Sequence, residues 1–430
     1  MAFDGIEKIL FEVGAVCSDD RTVLGGGGNF SIKEDDLMLI KASGTFLRNM
    51  SKENMALVER RKIRELLQHF REMQDSFDPQ ERERIYKEMQ AAARVDPKGP
   101  RPSVETAAHE LFPKYVLHTH PTSLTALSAV LEAPEIIAKV CPGLDYAIMK
   151  YLDPGILLGT EAMKMFGETG HVPKAFMQRN HGFFFGSDKF REVMETHNAL
   201  DAKMKGYING RVFGAKTENK SFGNSKHGNA LSGISPEYAT LMYSIYCSIF
   251  GNDPKNTKLS EAKIEDMRVK KLETEKGVIY LYDSSLARRY AESAFAEEIG
   301  NRFSWISPDH IVAMNMNTDY LALSFPNVGK KVAKDVREQV KKHENGKYAR
   351  IFVIKGVGIA AAGGFMPEDT NPEYKASLAM QFVNDALLVY RATRAIGTMT
   401  MLTEDNAKFI DGWEVEKERR LVAQNQAGKK

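Results

Sequence analysis

Two histidines separated by one residue, His118-Thr119-His120, form the pattern in this chain with the clearest capacity for chemistry. On an extended strand, residues i and i+2 project from the same face, so both imidazoles can reach one ion. Pro121 follows at once and cannot continue a ladder, which places the pair at a strand end, where a site can open to substrate. Taken alone the pair is weak evidence, because the chain holds ten histidines. His181, in Arg179-Asn180-His181-Gly182 between two apolar runs, changes the reading. Three neutral imidazoles leave one position of a tetrahedral ion open, as a catalytic zinc requires. A buried, hydrogen-bonded histidine accounts for any one of the three, and less well for the set.

A carboxylate and two glycine-rich turns complete the candidates. Glu105 lies in Pro102-Ser103-Val104-Glu105-Thr106, at the start of a helix containing His109. A carboxylate there commonly serves only as a favourable charge at a helix start. Beside a metal it can instead take a proton from a substrate hydroxyl. Gly27-Gly28-Asn29-Phe30-Ser31 can turn several N–H groups toward an anion, a nest that suits phosphate. Lys41-Ala42-Ser43-Gly44-Thr45, after a short strand, can add hydroxyl and amide donors. A plain glycine-rich hairpin turn is the simpler account of the first.

The elements that must position these residues read as α/β. Short apolar strands are predicted at 37–40, 115–117, 175–177 and 183–185, and again at 278–281 and 349–354, alternating with helical stretches. Residues 1–20 read as an amphipathic helix and not as a secretion signal. Charged helical stretches follow over 52–74 and from Asp78-Pro79, where proline stands at the first helical position. Their charge density predicts a solvated helical insertion over about 51–100. The Gly-, Ser-, Asn- and Lys-rich stretch 217–235 reads as a linker between a first domain (1–216) and a second α/β domain (236–430). The second is a candidate degenerate repeat: Phe112-Pro113-Lys114 leading to His118-Thr119-His120-Pro121 is echoed by Asn301-Arg302-Phe303 leading to Ser307-Pro308-Asp309-His310, and Asn180-His181-Gly182-Phe183 by Gly356-Val357-Gly358-Ile359.

Composition excludes more than it assigns. A 43% hydrophobic and 27% charged chain of 430 residues is ordinary for a globular protein. A formal net charge of +2 offers no field for nucleic acid, and the longest mostly apolar stretch, 238–250, is too short to span a bilayer. Three dispersed cysteines suit a reducing, cytoplasmic setting better than a disulfide scaffold.

In order, Gly28-Asn29-x-Ser31, Ala42-Ser43-Gly44, Pro102-Ser103-x-Glu105, His118-Thr119-His120-Pro121 and Asn180-His181-Gly182 resemble the motif series of the class II aldolase/adducin family. The run from Pro102 to His109 with Val116 to Pro121 is most similar to the aldolase half of fused rhamnulose-1-phosphate aldolase/alcohol dehydrogenases, and the likeness extends over nearly the whole chain. The resemblance implies a three-layer α/β/α domain with a central, mainly antiparallel sheet. It implies that His118, His120 and His181 hold zinc, with manganese or cobalt as other ions, and that Glu105 is the acid/base. It implies that Gly28, Asn29, Ser43, Gly44 and Ser103 hold a substrate phosphate. Two departures weaken that last transfer: Val104 stands where a second serine is common, and Lys41-Ala42 where threonine-proline is common. Lys41 or Arg101 are possible compensations.

The reaction so implied is retro-aldol cleavage of a ketose 1-phosphate, rhamnulose- or fuculose-phosphate-like, to dihydroxyacetone phosphate and an aldehyde by a cytoplasmic homo-oligomer, a tetramer in the family. Alternatives are a pentulose-phosphate 4-epimerase, a dehydratase or a decarboxylase on the same metal site, or a non-catalytic adducin-like scaffold. No Gly-x-Gly-x-x-Gly follows the last strand, so the dehydrogenase half is not expected.

Overall fold

In the computed structural model, residues 3–19, 21–73, 79–214, 234–251, 256–323 and 330–413 are described. The chain forms two compact units: Met1–Asn209 with Ala392–Leu402, and Gly210–Arg391 with Thr403–Gly412. The expected linker lies, up to residue 233, outside the described residues.

The first unit is built on seven strands: β1 (Asn29–Glu34), β2 (Leu37–Lys41), β3 (Met55–Glu59), β4 (Tyr115–Thr119), β5 (Tyr146–Met149), β6 (Ala175–Gln178) and β7 (Gly182–Ser187). They lie in the order β3-β2-β1-β4-β7-β6-β5. Every pairing is antiparallel except β5 with β6. Its helices are α1 (Ile6–Val16), α2 (Arg60–Met73), α3 (Pro79–Ala92), α4 (Thr106–Glu110), α5 (Thr122–Ser128), α6 (Ala133–Val140), α7 (Ile156–Thr169) and α8 (Phe190–Gly214).

Alternation along β7 sets the layers. Phe185 meets His197 of α8 edge-on, with ring centroids 5.2 Å apart, whereas Phe184 stacks on Phe112 and faces His109 of α4. Successive strand residues face opposite sides, so α8 covers one face of the sheet while α4 and α7 cover the other. β4 and β7 are buried along nearly their whole length, which explains their near-continuous apolar sequences.

The helical insertion departs from expectation in two ways. Residues 55–59 are not helical: they add β3 to the sheet edge, paired with β2. Nor are α2 and α3 merely solvated. Ile63, Leu66, Leu67 and Phe70 form a buried stripe on α2, and Tyr86 and Gln90 are buried on α3. The i, i+3, i+4, i+7 spacing of the apolar stripe is obscured in the sequence by the charges around it.

The second unit holds β8 (Lys258–Ile264), β9 (Met267–Glu273), β10 (Val278–Tyr282), β11 (Thr318–Leu321), β12 (Ile351–Ile354) and β13 (Gly358–Gly363), in the order β11-β12-β13-β10-β9-β8. Its helices are α9 (Pro236–Phe250), α10 (Ser285–Ala291), α11 (Ala294–Ile299), α12 (Pro308–Met314), α13 (Lys330–Gln339), α14 (Pro372–Ile396) and α15 (Glu404–Gly412). Here β11 pairs with β12 in parallel, and β12 with β13 and β13 with β10 antiparallel. These are the same signs as β5-β6-β7-β4. The registers also match: Thr119 lies opposite Phe183 and Tyr282 opposite Ile359, each partner directly after a glycine. The echo between 180–183 and 356–359 therefore falls at equivalent turns. The other echo does not: 301–306 is turn and 3-10 helix, and the counterpart of β4 is β10. Sequence matched a helix-capping Ser-Pro to a strand end because both carry a proline.

Candidate functional site

The three histidines come together. His118 is the fourth residue of β4, His120 follows its end, and His181 sits in the β6–β7 turn, so that pairing of β4 with β7 brings them together. One ring nitrogen from each lies within 4.8 Å of the others. His118 Nε2 and His120 Nε2 are 2.7 Å apart.

The outward nitrogens fix the tautomers. His118 Nδ1 is 3.0 Å from the Phe183 carbonyl, which only accepts, so Nδ1 carries the hydrogen and Nε2 keeps its lone pair. At His181 the partner is Gln178 Oε1, at 2.6 Å. Gln178 Nε2 donates to the Leu152 carbonyl at 2.5 Å, so its oxygen must face His181 and Nδ1 must again be the donor. The His118 ring also stacks on Phe184, with centroids 3.9 Å apart. Two buried imidazoles thus present acceptor nitrogens to one point, with second partners of the kind that metal-binding histidines use.

Glu105 caps α4 and aims at that same point. Its Oε1 is 3.4 Å from His118 Nε2 and 3.6 Å from His181 Nε2. Among the described residues that buried oxygen has no hydrogen-bond partner. Its other oxygen accepts from Asn29 Nδ2 at 2.6 Å, and the same amide group donates to Ser103 Oγ at 3.0 Å. A set of nitrogen lone pairs with an orphaned carboxylate oxygen is costly to bury unless a cation or a donor joins it. The residues fit a divalent ion with a carboxylate beside it.

Two glycines let the backbone close around this centre. A Cβ on Gly182 would lie 2.4 Å from His120 Cδ2 and 2.6 Å from the Thr119 carbonyl. Gly28 has φ +58°, and a Cβ there would lie 2.7 Å from the His118 carbonyl. The β6–β7 turn, with Asn180 at φ +53°, is held from outside by reciprocal bonds of the Asn180 amide with Thr400, both at 3.0 Å.

The five residues expected to hold phosphate separate into two groups. Asn29 and Ser103 join Glu105 in the buried network, and Gly28 precedes Asn29 in its turn. Ser43 and Gly44 lie in the turn after β2, where Ser43 Oγ accepts from Arg101 at 2.8 Å and the Ser43 N–H donates to the Arg101 carbonyl. Lys41 Nζ donates to the Gly26 and Thr45 carbonyls at 3.2 and 2.7 Å, tying the two glycine turns together. His109 Nδ1 lies 2.7 Å from Ser31 Oγ, and burial holds the pKa of that imidazole well below the ordinary histidine value.

Gln178, Phe184 and Thr400 were not read from the sequence. A glutamine at the end of an apolar strand was the one visible signal. Glu83 of α3 was also missed. Its buried carboxyl is raised to about 7, first by desolvation and further by Asp153, against the pull of Arg82.

Among known proteins, residues 8–208 match the family described as Class II Aldolase and Adducin N-terminal domain. The uncharacterized oxidoreductase YuxG of Bacillus subtilis (strain 168) is 25% identical over 247 residues, 54% of this chain and 34% of that protein, so the match spans about a third of its length. The N-terminal class II aldolase domain of a conserved Thermoplasma acidophilum protein is 22% identical, with a TM-score of 0.41, covering 48% of this chain and 96% of that one. The L-fuculose-1-phosphate aldolase of Thermus thermophilus is 15% identical, with a TM-score of 0.32, over 48% and 94% of the respective chains. The first unit of this chain belongs to the class II aldolase and adducin family.

Proposed function

We propose that the domain formed by about residues 1–216 is a zinc-dependent aldolase that cleaves a ketose 1-phosphate to dihydroxyacetone phosphate and an aldehyde. The observation that carries this reading is the unpartnered Oε1 of Glu105, 3.4 and 3.6 Å from the Nε2 atoms of His118 and His181. A scaffold gains nothing from burying such an arrangement, and a catalyst uses it.

His118, His120 and His181 would hold the ion, which when bound supplies Lewis acidity toward the oxygens of the substrate. Glu105 Oε1 is placed to accept the proton of the substrate hydroxyl whose carbon becomes the aldehyde. Asn29 donates to Oε2, which fixes the carboxylate plane and leaves Oε1 to act. Ser103 and the backbone of the Gly28 turn lie beside Asn29, so they are the donors assigned to the phosphate. Ser43 and Gly44 are assigned to it through the neighbouring turn. We propose also that 236–430 is a degenerate copy. The shared register, Tyr282 opposite Ile359 as Thr119 is opposite Phe183, supports this, and Leu281, Asp283 and Val357 would then correspond to His118, His120 and His181.

Elemental analysis followed by assay of the zinc-loaded protein on rhamnulose, fuculose and related 1-phosphates tests the reading. Release of dihydroxyacetone phosphate is expected, with kcat of Glu105→Gln lower by about 10²- to 10⁴-fold and zinc still bound. Conversion of ketose 5-phosphates without cleavage would move the assignment to an epimerase, and inertness toward every sugar phosphate would remove it.

A further inference from the structure

We infer that helix α3 is a positioning element of the active site, acting through Tyr86 and Gln90 on the loop that carries Ser103 and Glu105. The Tyr86 hydroxyl donates to the Val104 carbonyl at 2.5 Å, and Gln90 Nε2 donates to the Ser103 carbonyl at 2.7 Å. Gln90 Nε2 also lies 3.1 Å from the Tyr86 hydroxyl, so the two side chains act as one clamp. Both are buried, at 3% and 4% exposure, which makes them poor partners for solvent and strong ones for the loop.

The loop needs such a hold. Residues 103–105 belong to no strand, and α4, which Glu105 caps, has only five residues. A helix that short is not stable by itself and takes its position from its anchors. From the sheet side the loop is fixed by Ser103 N–H donating to the Lys41 carbonyl at 3.2 Å and by Asn29. From the opposite side the described bonds onto the carbonyls of 103 and 104 are those of Tyr86 and Gln90, together with the loop's own Thr106. Losing the clamp frees Glu105 to drift relative to the three histidines, whose own strand and turn α3 does not touch through these bonds. A displacement of about 1 Å is enough to lower a reaction rate about 100-fold.

The inference rests on the role given above to Glu105, and the test separates the two. Tyr86→Phe keeps the ring, which meets Phe70 edge-on, and removes the hydroxyl alone. Gln90→Leu is the second variant and is read in the same way if the first does not fold. The zinc-loaded variants are measured for kcat and KM, for zinc affinity by chelator competition, and for amide exchange in peptides covering 103–109. The expected result is kcat lower by about tenfold with zinc affinity within about twofold, KM raised as far as Ser103 moves with the loop, and exchange about tenfold faster over the loop. A fall in melting temperature with kcat and loop exchange unchanged overturns the inference, since the residues would then be structural only. If the wild-type protein cleaves no ketose 1-phosphate, the aldolase reading falls and exchange alone decides. Faster loop exchange in the variants then upholds the positioning role, and unchanged exchange overturns it.

Discussion

Replacing Gln178 by leucine tests the proposed metal centre at its least obvious member. Gln178 is fully buried, and its side chain bridges the His181 ring to the Leu152 carbonyl with bonds of 2.6 and 2.5 Å. Leucine fills nearly the same volume but offers His181 no acceptor. The ring is then free to rotate or to place its hydrogen on Nε2, the nitrogen that faces His118 and His120. Removing such an outer partner commonly weakens metal binding by about 10- to 100-fold, or about 1.4–2.7 kcal/mol. Stranding the Leu152 carbonyl and the Nδ1 hydrogen costs about 1–3 kcal/mol of stability besides. The two effects separate with Gln178→Glu, which restores an acceptor for His181 but no donor for Leu152. Chelator competition gives zinc affinity, and melting curves with and without zinc give the stabilisation by metal. The leucine variant is expected to lose affinity and stability, and the glutamate variant stability alone. Equal zinc affinity in wild type and Gln178→Leu would refute the reasoning, because His181 could not then be a ligand held by Gln178.

Two further outcomes follow from particular contacts. Gly182→Ala drives a Cβ to 2.6 Å from the Thr119 carbonyl, a backbone atom that cannot swing aside, so it should cost about 1–3 kcal/mol and weaken zinc binding; thermal melting and metal titration check both. Glu83 makes stability depend on pH: its carboxyl titrates at about 7 in the folded protein against an ordinary value of 4.5, so the native state holds the extra proton between those values. Its contribution is full below about 4.5 and is lost as pH rises through about 7, a difference of about 3 kcal/mol. Urea unfolding from about pH 5 to about pH 8 should show this fall in wild type and a flatter profile in Glu83→Gln; parallel profiles would discount the burial of Glu83.

The sequence was informative where a residue's neighbours along the chain are also its structural context. His118 and His120 share a face because of strand geometry alone, and the apolar runs on either side of His181 already marked a strand–turn–strand. What lay hidden depends on residues brought together by pairing. Asn29 reaches Glu105 because β1 lies beside β4, with Asn29 opposite His118, a register that no local pattern encodes. Tyr86 and Gln90 were concealed for another reason. On a helix dense in Arg and Glu, two polar side chains at i and i+4 look like part of the solvated face, and only the loop they meet shows that this face is buried.

On the correspondence proposed above, the second unit keeps the pairing order of the first sheet without its three histidines. The ladder pairs Leu281 with Lys270 as it pairs His118 with Asn29, and Asp283 stands where His120 would. Lys270 and Arg288 close on Asp283 at 2.7 and 2.9 Å. Their cations hold its pKa below the usual carboxylate value although burial opposes them. A carboxylate already paired by fixed side-chain cations thus occupies the position that corresponds to His120. Aliphatic Leu281 and Val357 at the other two positions can coordinate nothing. The sheet did not need the histidines to keep its order or register, because those are set by apolar β10, β12 and β13, each paired on both sides. Among the described residues His118, His120 and His181 form the one group able to hold an ion, so one ion per chain is the stoichiometry expected on metal titration.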